Sequence, residues 1–203
     1  MIDGYFKHKI NLFWDRLAFY LVAAKFTPNT VTWLGLALVL INCLLYLLHR
    51  NDFLFGFLLA ISFSFDALDG AVARITGKSS KYGGYLDAVI DRYQEIAIYI
   101  TLAYVNQYWL VCFMAITGSL LVSYNKARVA VEVAIDNNKW PDLAERFERI
   151  FLICAGLMLT SFVNMPDGFN KSFLYYVILA IAILSHVTAI QRFMRARKIL
   201  LEK

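Results

Sequence analysis

Charge is what this chain has least of. Only 17% of its 203 residues are Asp, Glu, Lys or Arg, whereas 60% are hydrophobic. That balance excludes an ordinary soluble domain and points to a single bundle of membrane helices. Proline is scarce too, with 3 in all, and Pro28, Pro141 and Pro166 each stand at a break between apolar runs. The cysteines are Cys43, Cys112 and Cys154. Each lies in an apolar run with no second Cys or His at ligand spacing, which excludes a zinc site and leaves buried free thiols. A cleavable leader is not expected, because the first 25 residues are amphipathic and carry Lys and Arg. No internal repeat or low-complexity tract occurs. The formal charge of +5 is modest, and the basic residues are not interleaved with polar sequence. An anionic bilayer face or anionic substrates are therefore the expected partners, and nucleic acid is not.

The apolar sequence falls into segments. In residues 3–23, Phe6, Ile10, Phe13, Leu17 and Leu21 recur at helical spacing, with Lys7, Asn11, Asp15 and Arg16 opposite. This is the pattern of a helix lying in the membrane interface, and packing on the rest of the protein is compatible with it. Thr27-Pro28-Asn29-Thr30 ends that helix and starts the next. Six apolar runs follow: about 30–49, a second from Phe53 flowing without a break into Asp66, a third from after Gly84 to about 105, then about 108–131, 149–164 and 172–191, each close to the length of a span except the short fifth. The fold class expected is all-α: six transmembrane helices behind an interfacial helix (1–25), with a basic tail at 192–203. With the N-terminus inside, Arg50 and Lys171 alone of the 20 Lys and Arg fall outside. The positive-inside bias thus places both termini, and the acidic stretch described next, on the cytoplasmic side.

That stretch runs D-A-L-D-G-A-V-A-R-I-T-G-K-S-S-K-Y-G-G-Y-L-D-A-V-I-D from Asp66 to Asp91. Asp66 and Asp69 are spaced i, i+3, and Asp87 and Asp91 i, i+4, so each pair shares one helical face. Carboxylates so close to a membrane interior are costly unless partnered, and oxygen ligands with this charge suit Mg²⁺ or Mn²⁺. A proton relay or structural ion pairs with Arg74 and Arg92 would also explain the charges. They would not explain Gly70 and Ala73 on the face of Asp66 and Asp69, nor Gly83 and Gly84 before the second pair. Small side chains there let a bulky ligand approach the backbone, as a metal-bound phosphate would. Gly77-Lys78-Ser79 is not a nucleotide P-loop, since Val72 stands where that motif needs glycine and no strand precedes it.

The spacing Asp66-x2-Asp69-Gly70-x2-Ala73-Arg74-x8-Gly83-x3-Asp87-x3-Asp91 resembles the signature of the CDP-alcohol phosphotransferase family at all eight specified positions. The resemblance implies an integral membrane enzyme that moves a substituted phosphate from a CDP-linked donor to an alcohol and releases CMP. It further implies that Asp66, Asp69, Asp87 and Asp91 ligate two divalent cations, Mg²⁺ or Mn²⁺, and that Asp91 is the proton acceptor. Donor contacts are implied at Asn29, Thr30, Val31 and Thr32, at Gly70, Ala73 and Arg74, and at Ser80 and Gly83. The guanidinium fork of Arg74 suits phosphate, and its plainer alternative is an ion pair with a neighbouring aspartate. Homodimerisation through membrane helices is also implied.

An apolar bundle open to the bilayer suits a CDP-diacylglycerol or CDP-archaeol donor. For the acceptor, Ser123-Tyr124-Asn125-Lys126-Ala127-Arg128 and Ala144-Glu145-Arg146-Phe147-Glu148-Arg149 gather basic groups at one end of the bundle, with Arg192 and Arg195 beyond. These strings are similar to those of phosphatidylinositol phosphate synthases and their archaetidyl counterparts. They imply a phosphorylated polyol, inositol 1-phosphate, with its phosphate held by Lys126, Arg146, Arg149 and Arg195. Glycerol 3-phosphate and then serine are the alternatives, and an ion or proton transporter is the alternative from another class. Glu95, either an outer partner of Asp91 or a partner of Arg92, and His186, a satisfied core side chain, are given no role.

Overall fold

The computed structural model describes residues 4–133, 143–163, 165–166 and 168–201, and for residues 4–13, 66 and 67 the backbone only. The described residues form α1 (Gly4–Ala23), α2 (Pro28–His49), α3 (Asp52–Thr76), α4 (Lys81–Asn106), α5 (Trp109–Glu132), α6 (Arg146–Thr160) and α7 (Phe173–Leu201), with no strand among them. Four of these, α2, α3, α5 and α7, are long and apolar enough to cross a membrane. The chain is an all-helical membrane protein. The helix α4 has the length of a span but carries Lys81, Asp87, Asp91, Arg92 and Glu95, and α6 has only 15 residues. Apolar side chains cover the outside as well as the inside. On α2, Val31, Val39 and Cys43 are buried while Trp33, Leu40, Leu44 and Leu48 are exposed, the surface of a helix solvated by lipid.

The second run continues as one helix through the acidic motif, as the shared face of Asp66, Asp69, Gly70 and Ala73 requires, and α3 ends at Thr76. One helix limit differs from what the apolar runs indicate. The basic segment from Arg192 is not a tail, because α7 continues to Leu201. Nothing from Gln191 to Leu201 breaks a helix. Arg192 and Ala196 are buried, and Ala196 joins Val129 and Val133 in a small apolar cluster with Ile199 packed on it. At 29 residues, α7 is ~43 Å long, more than the ~30 Å hydrocarbon core, so one end projects beyond it.

The chain divides into two compact units, Met1–Leu45 with Leu58–Ala97, and Tyr46–Phe57 with Ile98–Lys203. In the first, α1 docks on α2 and α3. Ala18 is fully buried with Val31, Leu68, Ala71 and Val72, and Trp14, Leu21, Val22 and Phe26 pack around them. The docked face of α1 is thus that of Trp14, Ala18, Leu21 and Val22, while Leu17, Phe19 and Tyr20 are exposed. The side chains of Phe6, Ile10 and Phe13 lie outside the described residues. Deeper in this unit, the Asn42 amide donates to Ser62 Oγ at 2.6 Å and to the Leu58 carbonyl at 3.1 Å, which satisfies a polar group that lipid could not.

In the second unit, glycines permit close helix contacts. A Cβ on Gly118 of α5 would lie 2.8 Å from Ser185 Cβ of α7, and one on Gly156 of α6 would lie 2.7 Å from Val177 Cγ1. Asn125 donates to the Ala189 carbonyl at 3.0 Å, and His186 Nε2 lies 3.1 Å from the Met114 carbonyl, a satisfied side chain as expected. Tyr46 is fully buried, stacks on Phe55 with ring centroids 4.2 Å apart, and donates its hydroxyl to Asp52. All three cysteines are buried free thiols.

Candidate active site

Two helix starts and one helix end frame a cavity in the first unit. At the start of α2, Thr27 Oγ1 accepts from the Thr30 amide at 3.2 Å, and Pro28 takes the first helical position, where its missing N–H costs nothing. At the end of α3, Gly77 adopts φ +63°, its amide donates to the Arg74 carbonyl at 3.3 Å, and the Lys78 amide donates to the Ala73 carbonyl at 3.1 Å. This is a Schellman closure, which needs a residue tolerant of the left-handed region. Ser80 then caps α4, its Oγ accepting from the Gly83 amide at 3.0 Å.

The cavity between these ends has a volume of about 230 Å³, several times the ~30 Å³ share of one water. Its walls are Pro28, Asn29 and Thr32 of α2, Asp69, Gly70 and Ala73 of α3, Lys78, Ser79 and Ser80 of the connection, and Gly83, Gly84 and Asp87 of α4. The first turns of two helices therefore face it, with Lys78 the one cationic side chain among the described residues of its wall. Helix starts carry partial positive charge and free amides, so the cavity suits an anion despite its two carboxylates.

Among the expected donor contacts, Asn29, Thr32, Gly70, Ala73, Ser80 and Gly83 all line this cavity. Thr30, Val31 and Arg74 do not. Thr30 is exposed with its hydroxyl 2.7 Å from that of Thr27, and the Val31 side chain is fully buried in the apolar cluster under α1. The reason is helical phase: Asn29 and Thr32 are one turn apart, and the two residues between them point elsewhere. Gly84, read with Gly83 as a place for close backbone approach, lines the cavity too, and so do Pro28, Lys78 and Ser79, which were given no binding role. The Gly77 turn is the sequence signal that could have found Lys78.

Asp69 and Asp91 are buried, and Asp87 is half-buried in the cavity wall. The side chain of Asp66 lies outside the described residues. Among the described residues no three His, Cys, Asp or Glu side chains gather to hold an ion on their own, so the expected four-carboxylate set includes one member without a described side chain. The donors that are described fit a hard cation by type. They are carboxylate oxygens with a hydroxyl behind them, and Thr32 Oγ1 donates to Asp69 Oδ2 at 2.6 Å. Arg92 lies beside Asp91 at 3.8 Å and pairs more closely with Glu95, at 3.1 Å.

Arg74 is half exposed, and its partner is not an aspartate of the motif. Its Nη2 lies 3.0 Å from Asp15 Oδ1 on α1. Its Nη1 lies 3.6 Å from where a Cβ on Gly70 would stand, which puts the guanidinium beside a residue of the cavity wall though not in the wall itself.

The expected acceptor cations lie in the other unit. Lys126, Arg146 and Arg195 are half-buried. Arg149 is 2% exposed and donates to the Ala144 carbonyl at 2.9 Å. The buried cation of α7 is Arg192, at 5% exposure, which donates to the Val122 carbonyl and lies 3.8 Å from Glu145. Arg149 and Arg192 thus converge on residues 144–145 at the start of α6. Arg195, the α7 cation expected at the acceptor's phosphate, is half-buried, and Arg192, one turn before it, is buried. Arg128 is tied up with Glu132 at 2.6 Å on the exposed side of α5.

A profile of CDP-alcohol phosphatidyltransferases matches residues 25–194. The chain belongs to the CDP-alcohol phosphatidyltransferase family. Members of the family are transferases, and so is this protein. The chain is 37% identical over 185 residues to the archaetidylinositol phosphate synthase of Pyrococcus horikoshii, covering 91% of this chain and 90% of that one. It is 31% identical to the phosphatidylinositol phosphate synthase of Streptomyces avermitilis, covering 89% and 76%. Among solved structures, the phosphatidylinositol phosphate synthase of Mycobacterium tuberculosis with CDP-DAG bound shares the fold, with a TM-score of 0.76 and 24% identity over 90% of this chain and 92% of that one. The same enzyme in complex with manganese and citrate matches with a TM-score of 0.76 and 25% identity, covering 90% and 88%.

Proposed function

We propose that the protein transfers a phosphatidyl-type group from a CDP-linked lipid, CDP-diacylglycerol or CDP-archaeol, to a hydroxyl of inositol 1-phosphate, with release of CMP. The observation that carries the reading is a cavity in which Asn29, Thr32, Gly70, Ala73, Ser80 and Gly83 meet the carboxylates of Asp69 and Asp87. The names of the relatives support the acceptor. The basic groups around the start of α6 supply the charge that a phosphorylated acceptor needs.

In this reading the helix starts at Pro28 and Lys81, with Lys78 and Arg74, hold the donor's phosphates. Asp66, Asp69, Asp87 and Asp91 would hold two divalent cations, Mg²⁺ or Mn²⁺. When bound, such ions offset charge on the pyrophosphate and on departing CMP. Lys126, Arg146, Arg149 and Arg195, joined by Arg192, hold the acceptor's phosphate. Asp91 takes the proton from the acceptor hydroxyl, whose oxygen bonds to the lipid-side phosphorus as the bond to CMP breaks. Six helices cross the bilayer, α1 lies along its cytoplasmic face, and the termini and site face the cytoplasm. The protein works as a homodimer.

The test is CMP release by purified protein in lipid micelles with CDP-diacylglycerol or CDP-archaeol and Mg²⁺ or Mn²⁺, comparing inositol 1-phosphate, glycerol 3-phosphate, serine and free inositol. Turnover with inositol 1-phosphate above the others is the expected result. Turnover with serine alone would remove the acceptor assignment.

A further inference from the structure

We propose that Asp15 of the interfacial helix is a positioning residue for the donor. It holds the Arg74 guanidinium beside Gly70, at the edge of the cavity, so that α1 takes part in binding the CDP-linked lipid. This rests on the reading of Arg74 as a donor contact.

Three observations meet here. Asp15 Oδ1 lies 3.0 Å from Arg74 Nη2, across 59 residues of chain. The other terminal nitrogen of the same guanidinium lies against Gly70, which lines the cavity. The helix that carries Asp15 is itself anchored, because Ala18, one turn on, is fully buried between α2 and α3 with Trp14 and Val22 beside it. An ordinary surface ion pair contributes little, because two long side chains must be ordered to make it. Asp15 is short, and packing fixes its backbone, so the ordering falls on Arg74 alone. An arginine already held in place loses less freedom when a phosphate arrives, and the gain appears as affinity.

The charge of Asp15 acts in the opposite sense, since a carboxylate repels a diphosphate. Both side chains of the pair are exposed, at 51% for Arg74 and 38% for Asp15, and water screens that repulsion to about the thermal energy. Pre-ordering of the fork therefore wins, and the two contributions can be separated by experiment. In Asp15→Asn the amide oxygen still accepts from Arg74 while the charge is gone. In Asp15→Ala both are gone.

The experiment measures CDP-diacylglycerol binding to the purified full chain in detergent micelles, and the donor KM in CMP release with Mg²⁺. Asp15→Ala should weaken the donor by about threefold to tenfold in both, with kcat and the acceptor KM unchanged. Asp15→Asn should stay near the wild type. In an Arg74→Ala background, Asp15→Ala should add no further loss, an outcome that a purely structural role of Asp15 would not produce. Unchanged or tighter donor binding in Asp15→Ala would overturn the proposal, as would a loss in Asp15→Asn equal to that in Asp15→Ala. Equal losses with and without Arg74 would also overturn it. Failure of the wild type to bind either CDP-diacylglycerol or CDP-archaeol would instead overturn the function proposed above.

Discussion

The Thr32 hydroxyl donates to Asp69 Oδ2 at 2.6 Å, joining the first turn of α2 to the acidic motif of α3 across 37 residues of chain. Thr32 lines the cavity and Asp69 is buried in its wall, so this bond orients a carboxylate rather than merely tying two helices. A hydrogen-bonded ligand is held in one rotamer, and loss of such an outer partner typically costs 10–100-fold in metal affinity or activity. Thr32→Val keeps the shape and removes the hydroxyl. Half-maximal activity should then require about tenfold more Mg²⁺ or Mn²⁺, while Thr32→Ser stays near wild type. A metal titration of CMP release checks this.

Asp91 is assigned the proton-accepting role, and it is buried at 8% exposure on the α4 face that also carries Asp87. Asp91→Asn should lower turnover by about 10²–10⁴-fold while CDP-diacylglycerol still binds. Single-turnover CMP release beside a binding measurement separates the two effects. Full activity in this variant would remove Asp91 from the role.

Gly83 and Gly84 are adjacent in sequence but differ in surroundings. A Cβ on Gly83 would lie 3.2 Å from Ser80 Oγ and 3.4 Å from Asn29 Oδ1, whereas one on Gly84 meets nothing within 4 Å. Gly83→Ala should therefore crowd two cavity residues and raise the donor KM severalfold. Gly84→Ala should leave the fold unchanged or stabilise α4 by up to about 1 kcal/mol through helix propensity. Thermal unfolding in detergent and the donor KM distinguish them.

Gly118 sets the spacing of α5 and α7. A Cβ there would lie 2.8 Å from Ser185 Cβ and 3.2 Å from the His186 backbone nitrogen, and neither atom is the end of a flexible side chain. Gly118→Ala should destabilise the protein by about 1–3 kcal/mol despite alanine's better helix propensity, since overpacking of a close contact outweighs it. A lowered Tm in detergent is the expected readout.

Within the site, the division between local and long-range information is clear at single residues. Helical phase is local, so the sharing of a face by Asp69, Gly70 and Ala73 could be read from spacing, and all three line one cavity. The run from Asn29 to Thr32 was implied by the family resemblance as a continuous stretch, and of its side chains Asn29 and Thr32 line the cavity. A continuous stretch on a helix points in every direction, and the Val31 side chain turned into the core. The partner of Arg74 was out of reach of any spacing rule, because Asp15 comes beside it only through the docking of α1. Arg192 and Arg195 had the same residue type on the same helix. Burial against the Val122 carbonyl and Glu145 distinguished them.

By itself the sequence determined that this is a membrane protein of long helices, where most of those helices begin and end, and which family signature it carries. Those follow from composition, from breakers such as Pro28 and Gly77, and from fixed spacing, all properties of neighbouring residues. Tertiary structure alone decided that α2, α3 and α4 close a cavity around Thr32 and Asp69, that Lys78 joins its wall, and that α1 reaches Arg74. Those outcomes depend on which helix faces pack together, and an apolar surface that suits lipid and protein equally well does not specify its partner in advance.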